Sequence, residues 1–273
     1  MQTIDGDIRA NPEPLRIAEN VRVMGDIRSG AAVLVDGHLW VSGTIEDAQI
    51  EATGNVTVNG GFAGIGLGNV VCGGDFRASF VQGQRVQARG DIIVEAAVLS
   101  GALFASKWVL VGDGEGRIVG GEVQAYAGIK TGSIGGKRPI TTRLQVGIDP
   151  VVNLGIECLE RKAMDLARRR IGFLKDSIYL ERKPGESPRN AAADLRAAAD
   201  AVQADMMEVG EEIIDLRKAA RMNAEATIEV HRVCHPPVEI SICSSRVFNE
   251  FETGPVVFRL LEDRIVLDYW TLR

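Results

Sequence analysis

The stretch "GNVTVNGGFAGIGLGNVVC", Gly54–Cys72, is three short apolar runs, "GNVTV", "GGFAGI" and "GNVVC", joined by glycine-rich turns. The same opening recurs along the first half of the chain. Gly37 opens "GHLWV", Gly74 opens "GDFRA", Gly90 opens "GDIIV", Ser106 opens "SKWVL" and Gly121 opens "GEVQA". Successive openings, counted from Gly37 through Gly54 to Gly121, lie 17, 20, 16, 16 and 15 residues apart. Two "GDIR" copies at Gly6 and Gly25 carry the pattern towards the N-terminus. A repeat of that length fits three strands of about five residues with turns between them.

This is the pattern of a parallel β-helix solenoid. Alternation predicts inward side chains at Val56 and Val58, Ile65 and Leu67, Val70 and Cys72, and Ile92 and Val94. Each buried aliphatic of this kind contributes roughly 1.5–3 kcal/mol. Drift of the period away from a strict six-residue count favours a right-handed helix. Seven coils stacked at about 4.8 Å would extend roughly 30–35 Å. The Arg-Gly-Asp of "ARGDIIV", Ala88–Val94, is one corner of this repeat and not an adhesion motif, because Thr53 and Gly73 stand in place of Arg89 in other copies.

A second zone, 151–223, changes period. Leu195, Val202, Val209 and Leu216 recur every seven residues, with Ala199, Met206, Ile213 and Ala220 four places on. Upstream, Val152, Leu159, Leu166, Phe173 and Leu180 repeat the spacing, supported by Ile156, Ala163, Ile171 and Ile178. Two a/d seams separated by "KPGESPRN" (Lys183–Asn190) predict an antiparallel coiled-coil hairpin of two helices, each about 45 Å long. The first helix leans basic and the second acidic, which favours their pairing. The run Arg168–Arg170 reads as a solvated face. The last zone, 224–273, reads as short strands packing at the hairpin base or on the end of the solenoid. The domains expected are therefore 1–150, 151–223 and 224–273.

Composition restricts function. The chain has 273 residues, 45% hydrophobic and 25% charged, with a formal net charge of −6. An acidic chain argues against nucleic acid as the main partner. No apolar run of about 18 residues is present, so no membrane span is expected. The N-terminus lacks the marks of a signal peptide, and the four cysteines, Cys72, Cys158, Cys234 and Cys243, form no CxxC pair. A reduced, cytoplasmic protein is expected.

The order of parts resembles the flagellar assembly protein A (FapA-like) family of bacterial proteins. The resemblance rests on the Gly-Asp/Asn-apolar coils, "GEGRIVGGEVQAYAGIKTGSIG" (Gly114–Gly135), "TTRLQVGIDP" (Thr141–Pro150) and the closing "ATIEVHRVCHPPVEISI" (Ala226–Ile242). It covers the chain from about Val21 to Leu267. It implies a right-handed β-helix interrupted by a helical hairpin, and a role in flagellar assembly or cell-pole organisation without catalytic residues. Bactofilins and the C-terminal domain of the division inhibitor MinC are similar in architecture. Two departures stand out. The chain begins almost at the solenoid, where members often carry a separate N-terminal domain, and Pro237 replaces a glycine of the tail motif.

Candidate chemistry is sparse. Gly64-x-Gly66-x-Gly68 lacks the helix a dinucleotide site needs, and "GSIGGKR" (Gly132–Arg138) lacks P-loop spacing. His38 occupies the turn slot held elsewhere by Asn55, Asp75 and Asp91. His231, Cys234, His235 and Cys243 lie on alternating strands, a poor frame for a metal site. Asp26, Asp75 and Asp91 are read as stacking at one corner, suited to turns more than to catalysis. No catalytic, cofactor-binding or metal-binding residue is assigned. The expectation is a non-enzymatic scaffold that self-associates into oligomers or filaments through coil ends or the hairpin. It docks an unidentified protein through the hairpin tip at Lys183, Glu186, Arg189 and Asn190. The alternatives are a β-helix enzyme acting on polysaccharide and an adaptor that uses the tip alone.

Overall fold

In the computed structural model, which describes residues 1–269, the chain divides into two units. Met1–Val151 and the chain from Met222 onward form the first, and Val152–Arg221 the second.

The first unit is the β-solenoid. One parallel sheet runs through Gln2–Ile4, Val21–Val23, Leu39–Val41, Val56–Val58, Phe76–Gln82, Ile92–Leu99, Trp108–Val111, Gly128–Ile134 and Thr227–Cys234. A second runs through Leu15–Ile17, Ala32–Val35, Gln49–Ala52, Asn69–Cys72, Arg85–Ala88, Ala102–Ala105, Gly121–Ala125, Thr142–Val146 and Val238–Ile242. A shorter third face stacks Ile8, Ile27, Ile45, Phe62, Val81, Val98, Ile118, Ile134 and Cys234 in one column. Every member of that column is buried. The strands are short because the pleat needs only two inward residues per face before the chain turns. Val56 and Val58, Val70 and Cys72, and Ile92 and Val94 all point inward with at most 2% exposure.

The solenoid is longer than seven coils. Nine parallel strands occupy each main sheet among the described residues. Counting from Gly37 omits the "GDIR" turns, and the repeat resumes beyond the hairpin. Thr227–Cys234 pairs in parallel with Gly128–Ile134, and Val238–Ile242 with Thr142–Val146. The C-terminal strands therefore begin as a further turn of the same two sheets. Antiparallel strands then finish each sheet: Val256–Leu261 and Arg264–Tyr269 on one, Ser245–Asn249 on the other.

Three readings of the repeat need correction. The turn read as opening at Ser106 opens one residue later, at Lys107, because Ile92 pairs with Val109 and not with Trp108. Ile65 and Leu67 are not inward; they are 85% and 66% exposed. Phe62 fills the third column instead, and the link from it to the second sheet (62–69) is three residues longer than the corresponding link one turn earlier (45–49). The extra residues leave the wall as a loop. Gly121 also belongs to a different phase from Gly90. It pairs with Thr142 at the start of a second-sheet strand, whereas the corner below Ile129 falls at Ala127–Gly128.

The second unit is an antiparallel helical hairpin. Helix α1 spans Pro150–Glu181 and α2 spans Glu186–Ala219. Asp149 caps α1 by accepting the Val151 N–H at 3.0 Å, and Pro150 takes the first helical position, where no N–H is needed. Ion pairs Glu160–Arg217 and Glu181–Arg196 join the start of α1 to the end of α2 and the reverse. Leu166, Val202 and Val209 are buried, with Leu159, Ala163, Phe173, Met206 and Ile213 packed on them. The seam on α2 runs as read as far as Leu216, while Ala220 is exposed beyond the helix end. On α1 the seam passes through Arg170 and Ser177, not Ile171 and Ile178. Alternating steps of four and three from Leu166 land on those two polar residues. Ser177 is fully buried and donates its Oγ–H to the Leu174 carbonyl at 2.8 Å. The two isoleucines sit one residue, or 100°, further round and are 51% and 48% exposed.

Candidate functional site

The polar corner read from the repeat is a hydrogen-bond ladder. Asn20 Oδ1 accepts the His38 N–H at 2.8 Å, and His38 Nδ1 accepts the Asn55 N–H at 2.9 Å. Asn55 Oδ1 accepts the Asp75 N–H at 3.0 Å, Asp75 Oδ1 that of Asp91 at 2.9 Å, and Asp91 Oδ1 that of Trp108 at 3.0 Å. Each side chain reaches one turn along the solenoid to satisfy a backbone donor left free by the corner. His38 Nδ1 is therefore occupied as an acceptor, and that lone pair is not available to act as a base. Its ring lies 5.6 Å from that of Trp40. The glycines of this corner are required by close approach. A Cβ on Gly74 would lie 1.9 Å from Asn55 Oδ1, and one on Gly90 would lie 2.0 Å from Asp75 Oδ1.

Asp26 does not share that corner. It belongs to a separate ladder, in which Asp7 Oδ1 accepts the Asp26 N–H at 2.9 Å and Asp26 Oδ1 accepts the Thr44 N–H at 2.7 Å. Arg28 clamps this second corner through Asp7, Asp26 and Glu46. The Asp26 N–H, and then Arg28, hold the Asp7 carboxyl below the usual carboxylate range.

The glycine-rich loop 64–68 is a nest of backbone N–H groups filled from within. Ile65 and Leu67 donate their N–H groups to the Asp47 carboxylate at 2.9 and 3.0 Å. Gln84, 1% exposed, donates Nε2–H to Asp47 at 2.8 Å and accepts the Gly68 N–H at 2.8 Å. These bonds, the one from Ile65 foremost, lower the Asp47 pKa. Such nests commonly hold phosphate or other anions; here the anion is the protein's own. The loop is thus fixed from below while it displays two aliphatic side chains above. The other glycine run, Gly132–Arg138, starts inside the strand Gly128–Ile134. A Cβ on Gly132 would lie 2.5 Å from the Gly114 carbonyl oxygen, so packing accounts for that glycine.

One groove of about 690 Å³ opens on the outer side of the first sheet. Its floor is Ile93, Leu110 and Lys130, outward residues of successive turns, with Glu229 on the next. Glu95, Asp113 and His231 stand at its rim. Lys130 Nζ lies 3.2 Å from Glu229 and 4.9 Å from the centre of the Trp108 ring. Ser79 Oγ donates to Glu95 at 3.3 Å. Glycoside hydrolysis asks for two carboxyl groups facing one bond, one of them ready to give a proton. Glu229 is instead held in an ion pair.

The cysteine–histidine set is dispersed. Cys234 points into the core, His231 faces the groove, and His235 Nδ1 lies 2.8 Å from Glu252. Cys243 Sγ lies 3.5 Å from the Asn223 carbonyl oxygen. Among the described residues no group of three His, Cys, Asp or Glu side chains is placed to hold a metal ion. Burial pushes the Cys72 thiol up to about 12 and that of Cys234 up to about 11. At the hairpin tip, Lys183, Glu186, Arg189 and Asn190 are exposed, and Lys183 Nζ lies 4.6 Å from the centre of the Tyr179 ring. No helix is long and apolar enough to cross a membrane among the described residues.

The sequence matches the family model described as the flagellar assembly protein A β-solenoid domain over residues 4–265. The chain belongs to this family. Comparison with curated proteins finds no match, and neither does comparison with solved structures.

In this family member the solenoid's polar groups divide by use. Those at the corners bond the next turn, and those of the outer groove pair with one another in part. Sequence reasoning found the corner slot, His38 included, because a side-chain acceptor fills it on five successive turns, from Asn20 to Asp91. It missed the Asp47–Gln84 support beneath the loop. Those residues lie 37 apart and come together only through the lengthened turn between them.

Proposed function

We propose that the chain is a non-enzymatic cytoplasmic scaffold of flagellar assembly or cell-pole organisation, acting by self-association and by docking protein partners. The observation that carries this reading is the loop 64–68. Its backbone is held by a buried glutamine and an internal carboxylate, and its only outward product is the exposed pair Ile65 and Leu67. A rigid loop presenting two aliphatic side chains loses little entropy on binding, which is how a docking knob gains affinity. The occupant that fits is a protein with an apolar cleft. An acidic chain is a poor match for anionic lipid or nucleic acid. The exposed tip residues Lys183, Glu186, Arg189 and Asn190 supply a second, polar contact in this reading.

Co-purification from native cells tests it. The double variant Ile65→Ser/Leu67→Ser removes the knob without touching the Asp47 bonds, which come from the backbone. It is expected to lose a partner that the wild type retains. Retention of every partner by that variant, with the fold intact by circular dichroism, contradicts the docking role of the loop.

A further inference from the structure

A second loop shares the solenoid edge that carries loop 64–68. That edge is where the chain passes from the third face to the second sheet. Turns are counted along the third-face column, with Ile8 first and Cys234 ninth. On turns five, six and seven the link is short, running from Val81 to Arg85, Val98 to Ala102 and Ile118 to Glu122. On turn four it lengthens into loop 64–68. On turn eight it runs from Ile134 to Arg143, five residues longer than on turn seven, and projects as the loop 136–141. Four steps at about 4.8 Å set the two loops roughly 19 Å apart. Both lean over the turns between them. A Cβ on Gly66 would lie 3.3 Å from the Gly83 carbonyl oxygen, on turn five. A Cβ on Gly120, on turn seven, would lie 2.6 Å from Ile140 Cγ2, and one on Gly136 would lie 3.6 Å from the Val119 side chain. The second loop is braced as the first is. Pro139 fixes the backbone after Arg138, and the Ile140 N–H donates to the Arg138 carbonyl at 2.8 Å.

The edge is apolar between the loops and basic at one end. Leu99 and Val119, paired side by side on turns six and seven, face outward from the third face and are half-buried. With Ile65, Leu67 and Ile140, the last 44% exposed, they line the edge from turn four to turn eight. Apolar surface of this kind with a polar rim marks a contact with another protein. Charge selects the occupant. Lys137 and Arg138 are exposed and form no ion pair among the described residues. Other arginines of the solenoid are held by its own acids: Arg28 by Asp7, Arg143 by Glu239 and Arg232 by Glu115. Two adjacent unpaired cations beside an apolar strip, on a chain of net charge −6, favour a partner that brings carboxylates to them. They are too few for a phosphate-covered surface, and the aliphatic strip would find nothing there to bury.

We infer that loops 64–68 and 136–141 form one docking edge, for a protein whose apolar cleft spans both loops and carries carboxylates opposite Lys137 and Arg138. The inference rests on the docking role proposed above for loop 64–68. It adds the second loop and the charge of the partner.

Photo-crosslinking in native cells tests it, with p-benzoylphenylalanine placed in the full chain at position 67 in one variant and at position 140 in another. Both positions are expected to capture the same protein, and peptide mapping should place the crosslink from position 140 beside carboxylates of that protein. Lys137→Glu/Arg138→Glu should lower the adduct from position 67 about tenfold, because like charges then face each other. Lys137→Arg/Arg138→Lys should leave it unchanged. Arg161→Glu/Arg168→Glu makes the same change of net charge on the hairpin and should also leave it unchanged. No protein adduct from either position overturns this edge and the docking role of loop 64–68 together. An adduct from position 67, with none or a different protein from position 140, leaves that role standing and overturns the second loop. A Lys137→Glu/Arg138→Glu effect no larger than that of Arg161→Glu/Arg168→Glu overturns the acidic cleft, as does a crosslink from position 140 mapped among basic residues or onto lipid or nucleic acid.

Discussion

His38 Nδ1 accepts the backbone N–H of Asn55 at 2.9 Å, one turn along the solenoid. A histidine here does the work that Asn20, Asn55, Asp75 and Asp91 do on neighbouring turns, and the requirement common to all five is an acceptor atom at the right reach. His38→Asn should therefore preserve stability, and His38→Ala should cost about 1 kcal/mol through the unpaired Asn55 N–H. Urea denaturation of the two variants measures the difference. Equal loss in both would show that the imidazole matters for some other reason, such as its contact with Trp40.

The ladder explains its glycines by crowding. Gly74→Ala forces a Cβ to within 1.9 Å of Asn55 Oδ1, so the rung must break. The expected cost is about 1–3 kcal/mol, as for a buried donor left unpaired. Asn55→Ala/Gly74→Ala should cost clearly less than the sum of the two single changes, because Asn55→Ala has already removed the obstructing oxygen. Strict additivity in a denaturation cycle would sink the crowding argument.

Thiol chemistry should separate the four cysteines. Cys72, Cys234 and Cys243 are buried, burial raises the pKa of each, and Cys158 on α1 is exposed. At pH 8 the native chain should react quickly at a single thiol with an aromatic disulfide reagent, and at all four in denaturant. Cys158→Ser should abolish the fast phase. For Cys72 the folded value, about 12, stands above the ordinary 9.0, so its contribution to stability is complete below pH 9.0 and falls as the pH rises towards 12.

Acid should loosen loop 64–68. The Asp47 pKa is lowered from 3.8, chiefly by the Ile65 N–H. Its stabilising contribution is thus present above pH 3.8 and is lost as the pH falls through the folded value. Protection of the Ile65 and Leu67 amides from hydrogen exchange, relative to the intrinsic rate at each pH, should be strong at neutral pH and should fall below that range. Asp47→Ala should give fast exchange at neutral pH. Slow exchange in that variant would mean that the nest does not hold the loop.

Much of this was legible in the chain because a solenoid writes the same message at every turn. Val56, Val58, Ile92 and Val94 alternate with outward residues, and a period of two fixes their direction. Ile65 and Leu67 alternate just as well, yet the loop there only imitates a strand. Glycines at 64, 66 and 68 supply its alternation, and the carboxylate that holds it comes from the turn before. Ile171 and Ile178 misled in a different way. They are the more hydrophobic neighbours of Arg170 and Ser177, and only the strict heptad, which allows no slip of one residue, separates the hairpin seam from the exposed face. The apolar face of the hairpin was thus mistaken for part of its core.

The proposal that this chain supports assembly by displaying surfaces, and not by catalysis, is open to direct test. Complementation of a deletion strain in the native host, scored by flagella per cell at matched protein level, tests it most directly. Ile65→Ser/Leu67→Ser is predicted to fail, and Glu95→Gln/Asp113→Asn/Glu229→Gln, which strips the outer groove of its carboxylates, is predicted to restore flagella fully. Loss of function in the groove variant with full function in the loop variant would contradict the account.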